Sequence, residues 1–202
     1  MRIKSVVFAG AIGQVGQPAP ASVEGLAQVA FAGRSNVGKS SLINRVLGRT
    51  RSPIARVSQQ PGKTQEINFY QVRAEPADFC LVDLPGYGYA RVPQAKRGSW
   101  QPVIDAYLKT STDLAGVVQL LDIRHGPSPD DERALAFLAA LGLPVLFVLT
   151  KADKLRPTRR AEAVRQLAAT LGVDDDQLLA VSSLRGDGIP ELLESLDGLM
   201  AS

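Results

Sequence analysis

The stretch Gly33-Arg34-Ser35-Asn36-Val37-Gly38-Lys39-Ser40 decides the fold, because it matches the pattern G-x-x-x-x-G-K-[ST] in full. It follows the apolar run Val29-Ala30-Phe31-Ala32 and opens a helical pattern at Leu42, Ile43 and Val46. A glycine-rich loop between a strand and a helix turns backbone N–H groups toward phosphate oxygens, and the helix N-terminus adds partial positive charge. The sequence therefore predicts a phosphate-binding loop.

The chemistry of a nucleotide site assigns roles within this loop. Lys39 is expected to neutralise the β and γ phosphates, and the Ser40 hydroxyl is expected to bind Mg²⁺. A glycine-rich turn without a ligand is the alternative interpretation. The other residues expected to line the nucleotide here are Gly33, Arg34, Ser35, Asn36, Val37, Gly38 and Ser41.

A second motif, Thr150-Lys151-Ala152-Asp153, separates guanine-binding proteins from kinases and ATPases. A carboxylate at Asp153 can accept two hydrogen bonds from guanine, and the Lys151 stem can lie along the base. A helix cap explains the tetrapeptide equally well in isolation, but its position about 110 residues after Lys39, at the end of an apolar strand, favours guanine. After the last expected strand, the run Val181-Ser182-Ser183 is expected to supply a backbone N–H to the guanine carbonyl.

Two further segments are expected to sense the γ-phosphate. Asp83-Leu84-Pro85-Gly86 gives D-x-x-G at a strand end, where Asp83 would hold Mg²⁺ through water and the Gly86 N–H would face the phosphate. Thr64 would bring a second hydroxyl to Mg²⁺ in the GTP state. The neighbours of Thr64 expected beside the nucleotide are Gly62, Lys63, Gln65 and Glu66.

Apolar runs alternate with helical patterns from residue 28 onward, which predicts an α/β fold. We expect a P-loop G domain over 28–202, preceded by an irregular arm over 1–27. Its doubly wound, mostly parallel six-stranded sheet should have helices on both faces, the order 2-3-1-4-5-6 and one antiparallel edge strand. The expected strands are 28–32, 66–73, 78–83, 115–121, 144–150 and 178–181, and the expected helices are 39–47, 99–110, 129–142, 157–171 and 189–200.

Composition narrows the class of protein. The chain has 202 residues, of which 45% are hydrophobic and 21% charged, and no apolar run is long enough to span a membrane. The single cysteine, Cys80, lies in an apolar run and is expected to be buried and inert. Arg2, Lys4 and the run Val6-Val7-Phe8-Ala9 superficially resemble a signal peptide, but interrupting glycines favour an arm and a cytoplasmic protein.

Charge is distributed unevenly along the chain. Residues 1–100 carry 13 Lys and Arg against 5 Asp and Glu, whereas residues 101–202 carry 10 against 15. The excess indicates either one basic face toward RNA or scattered surface charge. Basic residues also fall in two stretches without periodicity, 48–65 and 84–98. If these stretches order only with GTP, RNA affinity is coupled to the nucleotide.

These motifs, with Val82-Asp83-Leu84-Pro85-Gly86-Tyr87-Gly88-Tyr89-Ala90 and Leu121-Asp122-Ile123-Arg124-His125-Gly126-Pro127, resemble the EngB/YihA/YsxC family of bacterial TrmE-Era-like GTPases. The resemblance covers residues from about 28 to 200. It implies GTP and GDP binding, a ribosomal large-subunit precursor as partner, and a requirement for normal cell division and septation. Gln28 departs from the acidic residue expected before the first strand. A monomer is expected.

Tyr87 stands where many GTPases carry a glutamine that orients the attacking water. Unassisted turnover is therefore expected to be no faster than about 10⁻⁴ to 10⁻³ s⁻¹. The resemblance implies that Asn36 binds K⁺ in place of an arginine finger; a loop asparagine bonded to nearby backbone is the alternative. The residues expected to carry hydrolysis are Lys39, Thr64, Gly86 and Asn36.

Three aromatic residues and one histidine stay open to two interpretations. Trp100, Tyr89 and Tyr107 can stack on RNA bases, although packing of the following helix is favoured. His125 can act as a base, although a surface loop is favoured. The alternative function is a GTP-gated scaffold for protein partners in cell division with negligible hydrolysis. A small-molecule kinase is disfavoured, because a kinase does not need the guanine motif.

Overall fold

The computed structural model describes residues 1–55, 66–87 and 101–201, which form one seven-stranded sheet with helices on both faces. The strands are β1 (Arg2–Ile12), β2 (Gln28–Gly33), β3 (Ile67–Glu75), β4 (Phe79–Asp83), β5 (Leu114–Asp122), β6 (Val145–Thr150) and β7 (Leu178–Ala180). The helices are α1 (Lys39–Val46), α2 (Gln101–Thr110), α3 (Pro129–Ala140), α4 (Pro157–Leu171) and α5 (Ile189–Ala201). The α/β G-domain prediction is confirmed.

The strand order is β1-β3-β4-β2-β5-β6-β7. Strands β4, β2, β5, β6 and β7 are parallel, and β3 is antiparallel to both of its neighbours. The order predicted for the last six strands is therefore confirmed. The strand predicted at the antiparallel edge lies inside the sheet, because one further strand covers it.

That further strand corrects the prediction of an irregular arm and of six strands. Instead of an irregular segment, Arg2–Ile12 pairs with β3 along its whole length, from Arg2 opposite Glu75 to Ile12 opposite Ile67. Two bulges interrupt the pairing, which disturbs the two-residue alternation that would mark a strand. Val6 is buried against β3, and Arg2 and Lys4 form exposed ion pairs with Glu75. Long-range pairing thus orders a segment whose local pattern is weak.

The central strand β2 is buried throughout and supplies side chains to both faces of the sheet. Val29 and Phe31 pack with α1 and α5 on one face. Ala30 and Ala32 pack with α2 and α3 on the other. A third apolar cluster joins α4 to β6 and β7. No helix in the described ranges is long and apolar enough to cross a bilayer.

Because five strands are parallel, their carboxyl ends meet at one edge of the sheet. Gly33 and Asp83 end β2 and β4 there, and Asp122 and Thr150 end β5 and β6. The segments that follow these strands contain the predicted motifs. The fold therefore gathers the phosphate and guanine motifs along the edge where α/β proteins bind ligands.

Candidate nucleotide-binding site

The loop between β2 and α1 has the backbone geometry that the phosphate-binding motif predicts. Gly38 caps α1 with φ 107°, a conformation that disfavours residues with a Cβ. Asn36 also adopts a positive φ of 65°. Lys39 and Ser40 follow in the first turn of α1, where unpaired backbone N–H groups favour anions.

Lys39, in the first turn of α1, is in direct contact with Asp83 at the end of β4. The Lys39 Nζ atom donates to Asp83 Oδ1, and the two side chains are only 10% and 5% exposed. Pairing between β2 and β4 places Asp83 beside Phe31, and the Leu84 N–H donates to Phe31 O at 3.1 Å. The cation suited to phosphate thus lies against the carboxylate suited to Mg²⁺. If Lys39 binds phosphate as predicted, it would exchange this carboxylate for phosphate oxygens.

The D-x-x-G segment lies directly against the phosphate-binding loop. The Ser35 N–H donates to Tyr87 O at 3.0 Å, and Arg34 and Tyr87 form an isolated parallel bridge. A Cβ added to Gly86 would lie 2.9 Å from Ser35 Oγ and 3.3 Å from Ser35 Cα and N, so a larger residue would crowd this approach. Ser35 Oγ is buried and has no hydrogen-bond partner in the part of the chain described. The D-x-x-G segment, which is the predicted γ-phosphate sensor, is therefore in contact with the phosphate-binding loop.

Tyr87 has its phenol group engaged with α3 and β5. Its hydroxyl donates to Asp131 Oδ1 at 2.8 Å and accepts from Gln119 Nε2. Burial raises the pKa of Tyr87, and the negative charge of Asp131 raises it further. Asp131 also caps α3 by accepting from the Ser128 N–H at 2.8 Å. These contacts give Tyr87 a structural role at the base of the segment.

The guanine motif is joined to the phosphate-binding loop at two points. Thr150 Oγ1 donates to Val37 O at 2.6 Å. Lys151, with a positive φ of 62°, extends its Nζ to Asn36 O at 2.7 Å. Asp153 Oδ1 accepts from Ser182 Oγ at 2.8 Å, which fixes the carboxylate that would read guanine. These contacts align the base side with the phosphate side.

Asp122, at the end of β5, gives Lys151 a second contact. Its Oδ2 atom lies 2.9 Å from Lys151 Nζ and 2.7 Å from Arg124 Nη2. Burial acts to raise the pKa of Asp122, but hydrogen bonds from Arg124 and Lys151 outweigh burial and lower the pKa below its usual range. The carboxylate therefore stays charged and holds Lys151 beside the loop.

The predicted run Val181-Ser182-Ser183 follows β7. The N–H groups of Val181 and Ser182 are already used, by Leu149 O at 2.8 Å and Asp187 O at 2.9 Å. The Ser183 N–H has no hydrogen-bond partner among residues 1–55, 66–87 and 101–201. Within the predicted run, Ser183 is therefore the residue whose N–H remains available to a ligand.

The remaining predicted residues are buried, exposed or outside the described ranges. Gly62, Lys63, Thr64, Gln65, Tyr89 and Trp100 lie outside the described residues, and Glu66 is exposed before β3. Tyr107 is buried and donates to Gln28 Oε1 at 2.8 Å, which confirms the packing interpretation. His125 is exposed, as expected for a surface loop. Cys80 is buried, and this burial raises the pKa of its thiol to about 12.

The motif analysis missed the polar side chains that support the site from behind. Asn44 is buried in α1, where its Oδ1 accepts from the N–H groups of Ile54 and Ala55 at 2.9 Å. Asn44 lies between Ile43 and Val46 in a helical pattern that is otherwise apolar on that face. The sequence therefore does contain a signal for this buried polar residue. Arg45 contacts the segment after β7, at a sequence separation of 138 residues, and left no local signal.

Comparison with known proteins assigns the chain to a family. A family model described as "50S ribosome-binding GTPase" matches residues 28–151. The probable GTP-binding protein EngB of Gemmatimonas aurantiaca is 47% identical over 176 residues, covering 87% of this chain and 84% of that protein. Its counterpart from Alkaliphilus metalliredigens is 44% identical, covering 87% and 83%. The chain belongs to the EngB family of GTP-binding proteins. As a member of this family it is a GTP hydrolase.

Solved structures show that this fold is shared beyond EngB. The crystal structure of a probable GTP-binding protein EngB has a TM-score of 0.67 and 23% identity, covering 87% of this chain and 99% of that one. Era bound to MgGDPNP and a 16S ribosomal RNA fragment has a TM-score of 0.69 and 24% identity, covering 84% and 55%. The EngB assignment rests on the curated relatives and on the family model, and these structures support the fold.

Proposed function

We propose that this EngB-family GTPase is a nucleotide-gated switch in assembly of the large ribosomal subunit, acting in the cytoplasm, and that normal cell division and septation depend on it. The observation that carries the proposal is the match of the 50S ribosome-binding GTPase model to residues 28–151, from the central strand to the guanine motif. The partner is accordingly a large-subunit precursor. Hydrolysis to GDP would end the interaction.

The proposed nucleotide site uses the residues gathered at the strand ends. Gly33–Ser41 would surround the phosphates, with Lys39 on the β and γ groups. Asp153 and Lys151 would hold guanine, and the Ser183 N–H would meet its carbonyl. The fixed Asp153 carboxylate and the Lys151 contact with Asn36 O support this arrangement. Gly86 would sense the γ-phosphate from its place against Ser35.

The donors at the phosphate end fit Mg²⁺, which prefers hard oxygen ligands. Ser40 offers a hydroxyl in the first turn of α1, and Asp83 offers a buried carboxylate at the end of β4. We propose that Ser40 binds the ion directly, that Asp83 holds it through water, and that Thr64 adds a second hydroxyl. The ion would neutralise charge that develops on the phosphates during hydrolysis.

Binding to ribosomal particles tests the switch. Purified protein is sedimented with 50S subunits in a non-hydrolysable GTP analogue and in GDP, at two salt concentrations. We expect co-sedimentation with the analogue, little with GDP, and weakening at the higher salt, because phosphate contacts with RNA are salt-dependent. Equal binding in both nucleotides would contradict a switch.

The control variant for this experiment is Lys39→Ala, which removes the proposed phosphate cation without changing any exposed basic residue. It should fail to respond to the analogue. If the wild-type protein binds no particle in either nucleotide, the role in large-subunit assembly is wrong. A GTP-gated scaffold for division proteins would then be the function to test.

Potassium dependence is a separate part of the proposal. We propose that Asn36 binds K⁺ beside the phosphates; its side chain is exposed on the loop and makes no hydrogen bond within the described ranges. Hydrolysis should be faster in KCl than in NaCl at equal ionic strength, and the difference should vanish in Asn36→Ala. Equal rates in the two salts would exclude a K⁺ role.

A further inference from the structure

Arg45 links the phosphate-binding helix to the segment that follows β7. It lies in the last turn of α1. Its Nε donates to Ser183 O at 2.6 Å, and its Nη2 donates to Leu184 O. One guanidinium group thus holds two successive carbonyl oxygens of a distant loop.

The peptide groups in this loop are fixed by their carbonyl oxygens. Ser182 O accepts from the Gly186 N–H at 2.8 Å, and the next two carbonyls accept from Arg45. In a trans peptide the C=O and N–H groups point in opposite directions. The N–H groups of Ser183 and Leu184 therefore point away from Gly186 and Arg45, and neither has a partner in the described part of the chain.

Within the described ranges, few other side chains hold Ser183 and Leu184 in this position. The Leu184 side chain is 73% exposed, so it does not anchor the loop in the core. The Ser182 side chain is already used, because its Oγ donates to Asp153 and accepts from the Arg185 N–H at 3.0 Å. Arg45 is thus the side chain that ties this loop to the helix carrying Lys39 and Ser40.

We infer that Arg45 is a positioning residue for guanine recognition. By holding the Ser183 carbonyl, it turns the Leu184 N–H, which belongs to the same peptide group, toward the O6 carbonyl of the base and beside the Ser183 N–H; its bond to the Leu184 carbonyl anchors the loop to α1. Arg45 also sets the distance between this loop and the phosphate site, because it lies on α1, the helix that carries Lys39 and Ser40. The inference rests on guanine-nucleotide binding and is independent of the proposed ribosomal role.

The test measures binding of two nucleotides to Arg45→Ala. GDP has the O6 carbonyl, whereas 2-aminopurine riboside diphosphate lacks it and keeps the amino group that Asp153 would read. GDP should bind about 10-fold more weakly to the variant, the loss expected for one hydrogen bond. The 2-aminopurine nucleotide should bind wild type and variant within about twofold, since it has no O6 group to lose.

Two further variants separate positioning from general effects of charge and folding. Arg49→Ala removes a nearby positive charge whose guanidinium contacts Val6 O instead, and it should leave GDP affinity unchanged. Arg45→Lys keeps the charge but cannot grip two carbonyls in the same way, so its GDP affinity should be intermediate. Thermal unfolding of each variant confirms a folded protein.

Equal weakening of both nucleotides in Arg45→Ala would overturn the inference, because a general disturbance of α1 would not distinguish bases with and without O6. Unchanged GDP affinity would also overturn it. Failure of the proposed ribosomal role has a different signature. In that case 50S co-sedimentation is lost while the nucleotide difference at Arg45 persists.

Discussion

The guanine side of the site is held by side chains, whereas the phosphate side depends on contacts that must change. Asp153, Lys151 and Ser183 each have neighbours that fix them, namely Ser182, Asp122 and Arg45. On the phosphate side, Lys39 and Asp83 are each other's partners. Binding of phosphate and Mg²⁺ would separate this pair.

The difference follows from what each side must recognise. GTP and GDP carry the same base, so the guanine side can stay fixed through a hydrolysis cycle. The phosphate side carries the difference between the two nucleotides, so a conformational response to the γ-phosphate requires contacts there that differ between the two states. Ser35 and Gly86 lie in contact where the phosphate-binding loop meets the D-x-x-G segment.

The largest effect is expected on the fixed side, from Asp153→Asn. The amide can still accept from Ser182 but cannot accept two hydrogen bonds from guanine as an anion. Losing about 3 kcal/mol of charge-assisted hydrogen bonding weakens GDP binding roughly 100-fold. Xanthosine diphosphate, which has a carbonyl at C2, should bind the variant better than it binds wild type. Competition titrations measure both affinities, and a GDP affinity within threefold of wild type would show that this carboxylate does not read the base.

The second largest effect is expected on the phosphate side, where Lys39 and Asp83 are paired. Asp83→Asn removes the charge that we propose to hold Mg²⁺ through water, so the Mg²⁺ concentration for half-maximal hydrolysis should rise about 10-fold or more. GDP affinity measured in EDTA should stay the same or rise, because the amide no longer competes with phosphate for Lys39. An unchanged Mg²⁺ requirement would exclude Asp83 from the metal site.

Tyr87→Phe tests whether the Tyr87 hydroxyl, which contacts α3 and β5, is structural. Loss of the hydroxyl removes the hydrogen bonds that it makes to Asp131 Oδ1 and from Gln119 Nε2 and should cost about 2 kcal/mol, or roughly 4–8 °C in Tm. Because burial raises the pKa of the folded phenol, wild type is expected to lose its advantage over the variant as the pH rises above about 10. Turnover should stay within about twofold. A large fall in turnover at unchanged Tm would give the hydroxyl a catalytic role.

The smallest effect is expected from Arg124→Ala. Arg124 is largely exposed, and Asp122 keeps its contact with Lys151 when Arg124 is removed. Loss of a partly exposed ion pair amounts to about 0.5 kcal/mol, or roughly twofold in GDP affinity. Isothermal titration resolves this change. A loss above about 10-fold would mean that the guanine side is less firmly held than its contacts indicate.

Local sequence patterns predicted most of the fold and the motif positions. The helix predicted at 157–171 has those bounds, since Pro157 starts it and an amphipathic pattern continues to Leu171. The order of the last six strands also followed from the sequence, because repeated βα units restrict the topology. These features depend on neighbours that lie close together in the chain.

What could not be predicted depends on partners far apart in the chain. Strand β1 is ordered by β3, and its bulges and glycines conceal its periodicity. Arg45 meets Ser183 only after α1 and β7 have packed on the same sheet. The pairing of Lys39 with Asp83 likewise follows from the register of β2 against β4. Sequence motifs identified the candidate site residues, whereas the packing and register of the sheet determine which of them are in contact.

The position of β1 also constrains how the chain folds as it is synthesised. This strand leaves the ribosome before β3, and its pairs join residues as far apart as Arg2 and Glu75. Loop closure over such separations is slow compared with local helix formation. Val7 and Phe8, which are still exposed in the finished sheet, emerge well before any strand is available to pair with them. A nascent chain therefore presents an unpaired apolar strand until β3 is made, which makes this segment a site for chaperone binding or for misassembly.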